Sequence, residues 1–166
     1  MKIAIFGGTF DPIHEGHITI IKELLNLKMD KIIVIPTNVK YYKKNDSMFD
    51  YIKRVELCKH ALKDLSNVEV STIEENIGND EGFADTLRRL KQIYPNDDLY
   101  TVIGSDSYNY INTWRKWETI PKLSKIIVAT RPHFKINDDI SLDYIRLDIN
   151  VDISSSEIRA KLSKEA

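Results

Sequence analysis

Apolar residues along this chain fall into two alternating rhythms. "KIAIF" (Lys2–Phe6) is a compact apolar run of strand length, and "KIIVIP" (Lys31–Pro36), "NVEVST", "DLYTVIG" (Asp98–Gly104), "SKIIVAT" (Ser124–Thr130) and "YIRLDI" repeat that character. Between these runs the apolar positions recur with helical period. Ile18, Ile21 and Leu25 share one face of a helix expected over Gly16–Lys28, with Ile20, Leu24 and Leu27 beside them. Val55, Cys58, Leu62 and Leu65 line a second helix, over Asp50–Leu65. Phe83, Leu87, Leu90 and Tyr94 mark a third, which Pro95 ends. Ser154–Lys164 is expected to form a closing helix.

Strands alternating with helices are the signature of βαβ units. The expected fold class is α/β, a Rossmann-like doubly wound, mainly parallel sheet with helices on both faces. The length of 166 residues suits one domain, and no internal repeat or linker divides it, so residues 1–166 are read as a single domain. The polar stretch "TNVKYYKKNDSMFD" is the exception to the rhythm. A loop of that length inside a compact domain is usually functional or disordered.

Such sheets bind ligands beyond the carboxyl ends of their strands, where the strand order reverses. Distinctive residues collect at those ends: Gly7 and Gly8 after the first strand, Gly104 and Asp106 after the fourth, Arg131 after the fifth. Composition adds little. The formal net charge of −1 provides no field of one sign to draw nucleic acid or a membrane surface. No apolar run approaches the ~18 residues of a membrane span. The N-terminus enters a strand almost at once and does not read as a signal peptide, so a cytoplasmic location is expected. Cys58 is the one cysteine, which rules out a disulfide within the chain, and its place on a helical apolar stripe makes it a core residue.

The candidate chemistry begins at "GGTFDPIHEGH" (Gly7–His17). A phosphate loop would need a lysine followed by Ser or Thr after its second glycine, and the G-x-G-x-x-G fingerprint is absent. In "HEGH" the histidines stand three apart rather than the four of the zinc protease motif, so no metal site is expected here. Anion handling fits instead. Glycines let backbone N–H groups approach a phosphate closely. A helix N-terminus supplies more donors and a partial positive charge. Thr9 adds a hydroxyl, and His14 and His17 can donate to phosphate oxygens. Such a site suits phosphoryl or nucleotidyl transfer by positioning and charge stabilisation. "DISSSEIR" opens the last helix with a second cradle: Ser154 and Glu157 form a capping-box pattern, and Ser155, Ser156 and Arg159 add donors.

These two stretches resemble the paired signatures of the nucleotidyltransferase superfamily marked by H-x-G-H, here His14-Glu15-Gly16-His17. With "IGSDSYNYINTWRKWETI" (Ile103–Ile120) and "VATRP" (Val128–Pro132), the chain looks most like the bacterial nicotinate mononucleotide adenylyltransferases. The resemblance implies adenylyl transfer from ATP, with Mg²⁺, to the 5′-phosphate of nicotinate mononucleotide, giving the deamido-NAD dinucleotide and pyrophosphate. It implies catalytic roles for His14 and His17. Gly8, Thr9, Phe10, Gly104, Asp106, Arg131, Ser154, Ser155 and Arg159 would join them on ATP. Lys43, Asp106 and Trp114 would hold the mononucleotide, Trp114 by stacking on its ring. The family's Ser-Tyr-Thr run before the third helix is replaced by Glu81, Gly82 and Phe83, and its His-Lys pair by Tyr42-Lys43. Nicotinate and nicotinamide acceptors therefore both stay open. Phosphopantetheine adenylyltransferase, an adenylyltransferase for another phosphorylated acceptor and a non-catalytic nucleotide-binding module are the alternatives, and the tryptophan stretch argues against the first. The oligomeric state is open, with a homo-oligomer one possibility.

Overall fold

The computed structural model describes residues 1–38, 49–75, 82–130 and 135–149. Strands β1 (Lys2–Gly8), β2 (Lys31–Pro36), β3 (Val68–Val70), β4 (Asp98–Gly104), β5 (Lys125–Thr130) and β6 (Ile145–Asp148) form a six-stranded sheet in the order β3-β2-β1-β4-β5-β6. Every pairing among them is parallel. This is the doubly wound order whose reversal lies between β1 and β4.

Side chains leave a strand on alternate faces, and the sequence uses both. On β1, Ala4 and Phe6 point into one core with Ile20, Ile21 and Leu24 of α1 (Glu15–Asn26) and Cys58 and Leu62 of α2 (Tyr51–Leu62). Ile3 and Ile5 point into the other. There they meet Ala84, Leu87 and Leu90 of α3 (Phe83–Ile93), Tyr108 of α4 (Ser105–Tyr108) and Ile120 of α5 (Ile120–Leu123). Burial on both faces is why the central strands read as unbroken apolar runs rather than alternating ones. Cys58 is fully buried, and burial pushes its thiol up to about 12.

β2 and β4 have the bounds the pattern predicts. β1 runs two residues further: Gly7 pairs with Ile35 and Gly8 with Pro36. The glycines are thus the last rungs of a strand rather than a turn beyond it. Between β4 and β5 the sequence pattern predicts no element. The structure places α4, 3-10 turns at Ile111–Thr113 and Trp117–Thr119, and α5 there. Segments of three or four residues are too short to display a helical period. No described helix is long and apolar enough to cross a membrane. The expected closing helix at Ser154–Lys164 lies outside the described residues.

Candidate active site

The carboxyl ends of β1 and β4 lie side by side and frame the site. Beyond β1 the chain turns through Thr9–Ile13 and enters α1 with His14 as its N-cap, in extended backbone. A helix begins with unsatisfied N–H groups. The His14 imidazole answers one: its Nδ1 accepts from the Gly16 N–H at 3.0 Å. His17 answers in return, its Nδ1 accepting from the His14 N–H at 3.1 Å. This is a capping box made of two histidines at N-cap and N3. The spacing of three, which does not suit zinc, is the spacing a capping box requires.

The caps also fix chemistry. A nitrogen that accepts a hydrogen bond carries no proton, so each neutral ring holds its hydrogen at Nε2. The rings stack with centroids 3.8 Å apart. His17 meets the edge of Phe10 at 4.8 Å and of Phe6 at 6.0 Å. The tautomer and the orientation of both imidazoles are therefore set before any substrate arrives.

Phe10 is 2% exposed yet lies at φ 49. A bulky residue in the left-handed region is strained unless its surroundings over-determine it. Its ring is held by Phe6, with centroids 5.2 Å apart, and by His17. Its backbone follows Thr9, whose carbonyl accepts from Arg54 Nη1 at 2.8 Å. Asp11 is 1% exposed and accepts the Phe49 N–H at 2.9 Å. Gly8 allows the Phe10 ring to fold back over it, 3.3 Å from where a Cβ would stand.

Across the reversal, Asp106 sits in the first turn after β4, half-buried. Its Oδ1 lies 2.7 Å from where a Cβ on Gly104 would be, so glycine is required for the carboxylate to lie there. The buried hydroxyl oxygens of Ser105, Thr37 and Tyr51 make no hydrogen bond among the described residues. Ser105 follows β4 and Thr37 follows β2.

The start of α3 packs against the end of β1. Gly82 is its N-cap, and Asp85 at N3 accepts the Gly82 N–H at 3.3 Å. Lys116 Nζ reaches the Asp85 carboxylate at 3.1 Å, with Arg115 and Arg88 each at 3.6 Å. Burial pushes that carboxyl up. The Lys116 and Gly82 hydrogen bonds and the charges of Lys116 and Arg115 outweigh it and hold the group below its ordinary value. Phe83 packs its ring 3.2 Å from where a Gly7 Cβ would lie and meets Trp114 edge-on, with centroids 6.1 Å apart. Trp114 is half-buried, packed at the rim of the α3-side core. Glu74, fully buried, accepts from Thr86 Oγ1 at 3.1 Å and from the Asn38 N–H at 3.4 Å, tying α3 to the end of β2.

Residues 5–161 match the family model described as cytidylyltransferase-like. The chain belongs to the cytidylyltransferase-like family. Its relatives include a probable nicotinate-nucleotide adenylyltransferase of Clostridium tetani, 35% identical over 98% of this chain and 88% of that protein. Another, of Campylobacter fetus and bearing the same name, is 37% identical over 98% and 87%. Among solved structures, Plasmodium falciparum nicotinic acid mononucleotide adenylyltransferase complexed with NaAD superposes with a TM-score of 0.81 at 27% identity, covering 99% of this chain and 85% of that one. The same Plasmodium enzyme complexed with APC gives 0.78. The chain is thus a nucleotidyltransferase of Rossmann-like fold, on the branch whose members carry the nicotinate-nucleotide name.

For this nucleotidyltransferase the structure brings Gly8, Thr9, Phe10, His14 and His17 together at the junction of β1 and α1, with Gly104 at the end of the neighbouring strand β4 and Asp106 in the first turn of α4. Trp114 stands against Phe83, on the α3 side. Lys43, Arg131, Ser154, Ser155 and Arg159 lie outside the described residues, as does Glu81. Sequence reasoning missed Asp11, Arg54 and Asp85. For Arg54 a signal existed: it stands four before Cys58 on the apolar stripe of α2, where a charge has no solvent to face. For Asp85 the local signals were its place in the first turn of α3 and Arg88 three residues on, while its partners Arg115 and Lys116, 30 and 31 residues away, follow no period.

Proposed function

We propose that the chain transfers the adenylyl group of ATP to the 5′-phosphate of nicotinate mononucleotide, releasing pyrophosphate and forming the deamido-NAD dinucleotide. The single observation that carries this is the reciprocal cap of His14 and His17, which presents two pre-oriented imidazoles at a helix N-terminus beside a glycine-rich turn. An oxygen of the acceptor phosphate attacks the α-phosphorus, the bond from that phosphorus to the bridging oxygen breaks, and the electron pair leaves with pyrophosphate. Charge grows on the non-bridging oxygens meanwhile. Nε2–H donors fixed in advance stabilise that charge without reorganising. Mg²⁺ arrives with ATP as part of the substrate, where its charge offsets that of the phosphates.

In this proposal Gly8, Thr9 and Phe10 line the triphosphate and Asp106 bonds a ribose hydroxyl. Gly104 gives that carboxylate its room. Arg131, Ser154, Ser155 and Arg159 complete the ATP side. Trp114 stacks on the pyridine ring, and Lys43 approaches the mononucleotide. A cytoplasmic location accompanies the proposal.

The test is pyrophosphate release from ATP and Mg²⁺ with nicotinate mononucleotide, nicotinamide mononucleotide and 4′-phosphopantetheine in parallel. Preference for nicotinate mononucleotide is expected. Release with 4′-phosphopantetheine alone would transfer the chain to the other adenylyltransferase, and ATP binding with no release from any acceptor would favour a non-catalytic module.

A further inference from the structure

Arg54 is 2% exposed and sits within α2, on the helix's buried side with Val55, Cys58 and Leu62. Its Nη1 donates to the Thr9 carbonyl and to the Thr37 carbonyl, both at 2.8 Å. Its Nε donates to the Phe49 carbonyl at 3.2 Å. The Tyr51 ring lies 5.6 Å from its Cζ. Burial pulls the guanidinium's pKa down, and the nearby Asp11 carboxylate pushes it back up. Asp11 in turn takes the Phe49 N–H. Thr37 also donates its own N–H to the Gly8 carbonyl at 2.8 Å.

One planar fork therefore joins the turn after β1, the end of β2 and the entry to α2. A leucine would finish the apolar face of α2 with less desolvation. What leucine lacks is a rigid set of donors that matches several carbonyls at once. The Thr9 carbonyl matters most, because it shares a planar peptide unit with the Phe10 N–H. Holding that oxygen aims the Phe10 N–H in the opposite direction, away from the guanidinium. Phe10 is also the residue whose left-handed backbone needs an external constraint.

We propose that Arg54 is a positioning residue for the transfer reaction: it fixes the peptide between Thr9 and Phe10, and with it the phosphate turn, relative to β2 and α2. This rests on the adenylyl-transfer proposal above. It makes Arg54 responsible for the rate at saturating substrate as well as for the fold.

The test compares wild type with Arg54→Lys, which keeps the charge and loses the fork, and with Arg54→Ala, assayed with and without millimolar methylguanidinium. Thermal melting and near-ultraviolet dichroism report folding. Arg54→Lys is expected to melt cooperatively with kcat down on the order of tenfold to a hundredfold, the scale of a misplaced reacting group. Methylguanidinium should restore part of kcat to Arg54→Ala and none to Arg54→Lys. A folded Arg54→Lys with wild-type kcat and KM overturns the proposal. Failure of both variants to fold also overturns it, since the role is then structural. If wild type itself turns over none of the acceptors, the adenylyl-transfer proposal fails, and ATP titration calorimetry decides on Arg54. A Kd raised about tenfold in Arg54→Lys supports positioning of the phosphate turn, and an unchanged Kd refutes it.

Discussion

Two helix N-termini face this site, and they are capped by opposite means. α1 is capped by two imidazoles, His14 and His17, each using one nitrogen for the backbone. α3 is capped by a carboxylate, Asp85, which Lys116, Arg115 and Arg88 surround. The first arrangement adds no negative charge of its own to the positive end of the helix, which suits an incoming polyanion. The second neutralises a helix end and uses the same carboxylate to fasten the Trp114–Lys116 segment to α3. Lys116 needs that fastening, because it lies at φ 55. One cap leaves the helix end without a negative charge, and the other commits a carboxylate to holding two segments together.

The largest effect expected from breaking this contrast is at the histidines. His17→Ala should lower turnover by on the order of a hundredfold or more, the scale of a lost pre-oriented donor. A folded variant with wild-type rate would remove His17 from the reaction. His14→Asn sharpens the point. Asparagine is a good N-cap, so stability should hold within about 0.5 kcal/mol, while the loss of Nε2 should still cost turnover heavily. His14→Ala should lose the cap as well, about 1 kcal/mol by denaturant titration. If asparagine restores the rate along with the stability, capping was the whole of the residue's role.

On the other side, Trp114→Ala should raise KM for the mononucleotide roughly tenfold and leave KM for ATP nearly unchanged, as base stacking on an aromatic is worth about 1–3 kcal/mol. Equal shifts on both substrates would make Trp114 structural. Asp85→Asn should cost stability by about 1.5–3 kcal/mol, the scale of hydrogen bonds to a charged group. Its pH dependence has a definite sign. The folded carboxyl ionises below its ordinary value of 3.8, so the unfolded chain binds more protons in that range. Asp85 therefore stabilises fully above about pH 4, and its contribution fades as pH falls through the folded pKa. The gap between wild type and Asp85→Asn should close in that acid window; a gap constant with pH would show that the cations do not depend on this charge.

The smallest effect is expected at Gly104→Ala. Gly104 has an ordinary φ of −74, so the backbone tolerates alanine, but the new Cβ displaces the Asp106 carboxylate. A several-fold rise in KM for ATP, with unchanged melting, is the expected outcome, and direct titration of ATP binding checks it.

Much of the molecule is legible without coordinates. The buried strands announce themselves because a sheet covered on both faces demands continuous apolar runs, and β2 and β4 fall where those runs are. His14 and His17 are legible as a pair because a helix start has local rules. The segment from Ser105 to Leu123 is not, since its turns are shorter than a helical period and its order comes from packing on the core.

The sequence by itself determined the alternation of strands and helices, the two cores, the glycines at the strand ends and the histidine pair. All of these rest on local pattern: continuous apolar runs of strand length, period 3.6, and the reach of a cap. Only the tertiary structure decided that Arg54 grips Thr9 from 45 residues away, that Asp85 collects Arg115 and Lys116, and that Phe83 lies over Gly7 against Trp114. Those contacts join segments that meet only because parallel strands bring their carboxyl ends to one edge, and no local spacing carries that information.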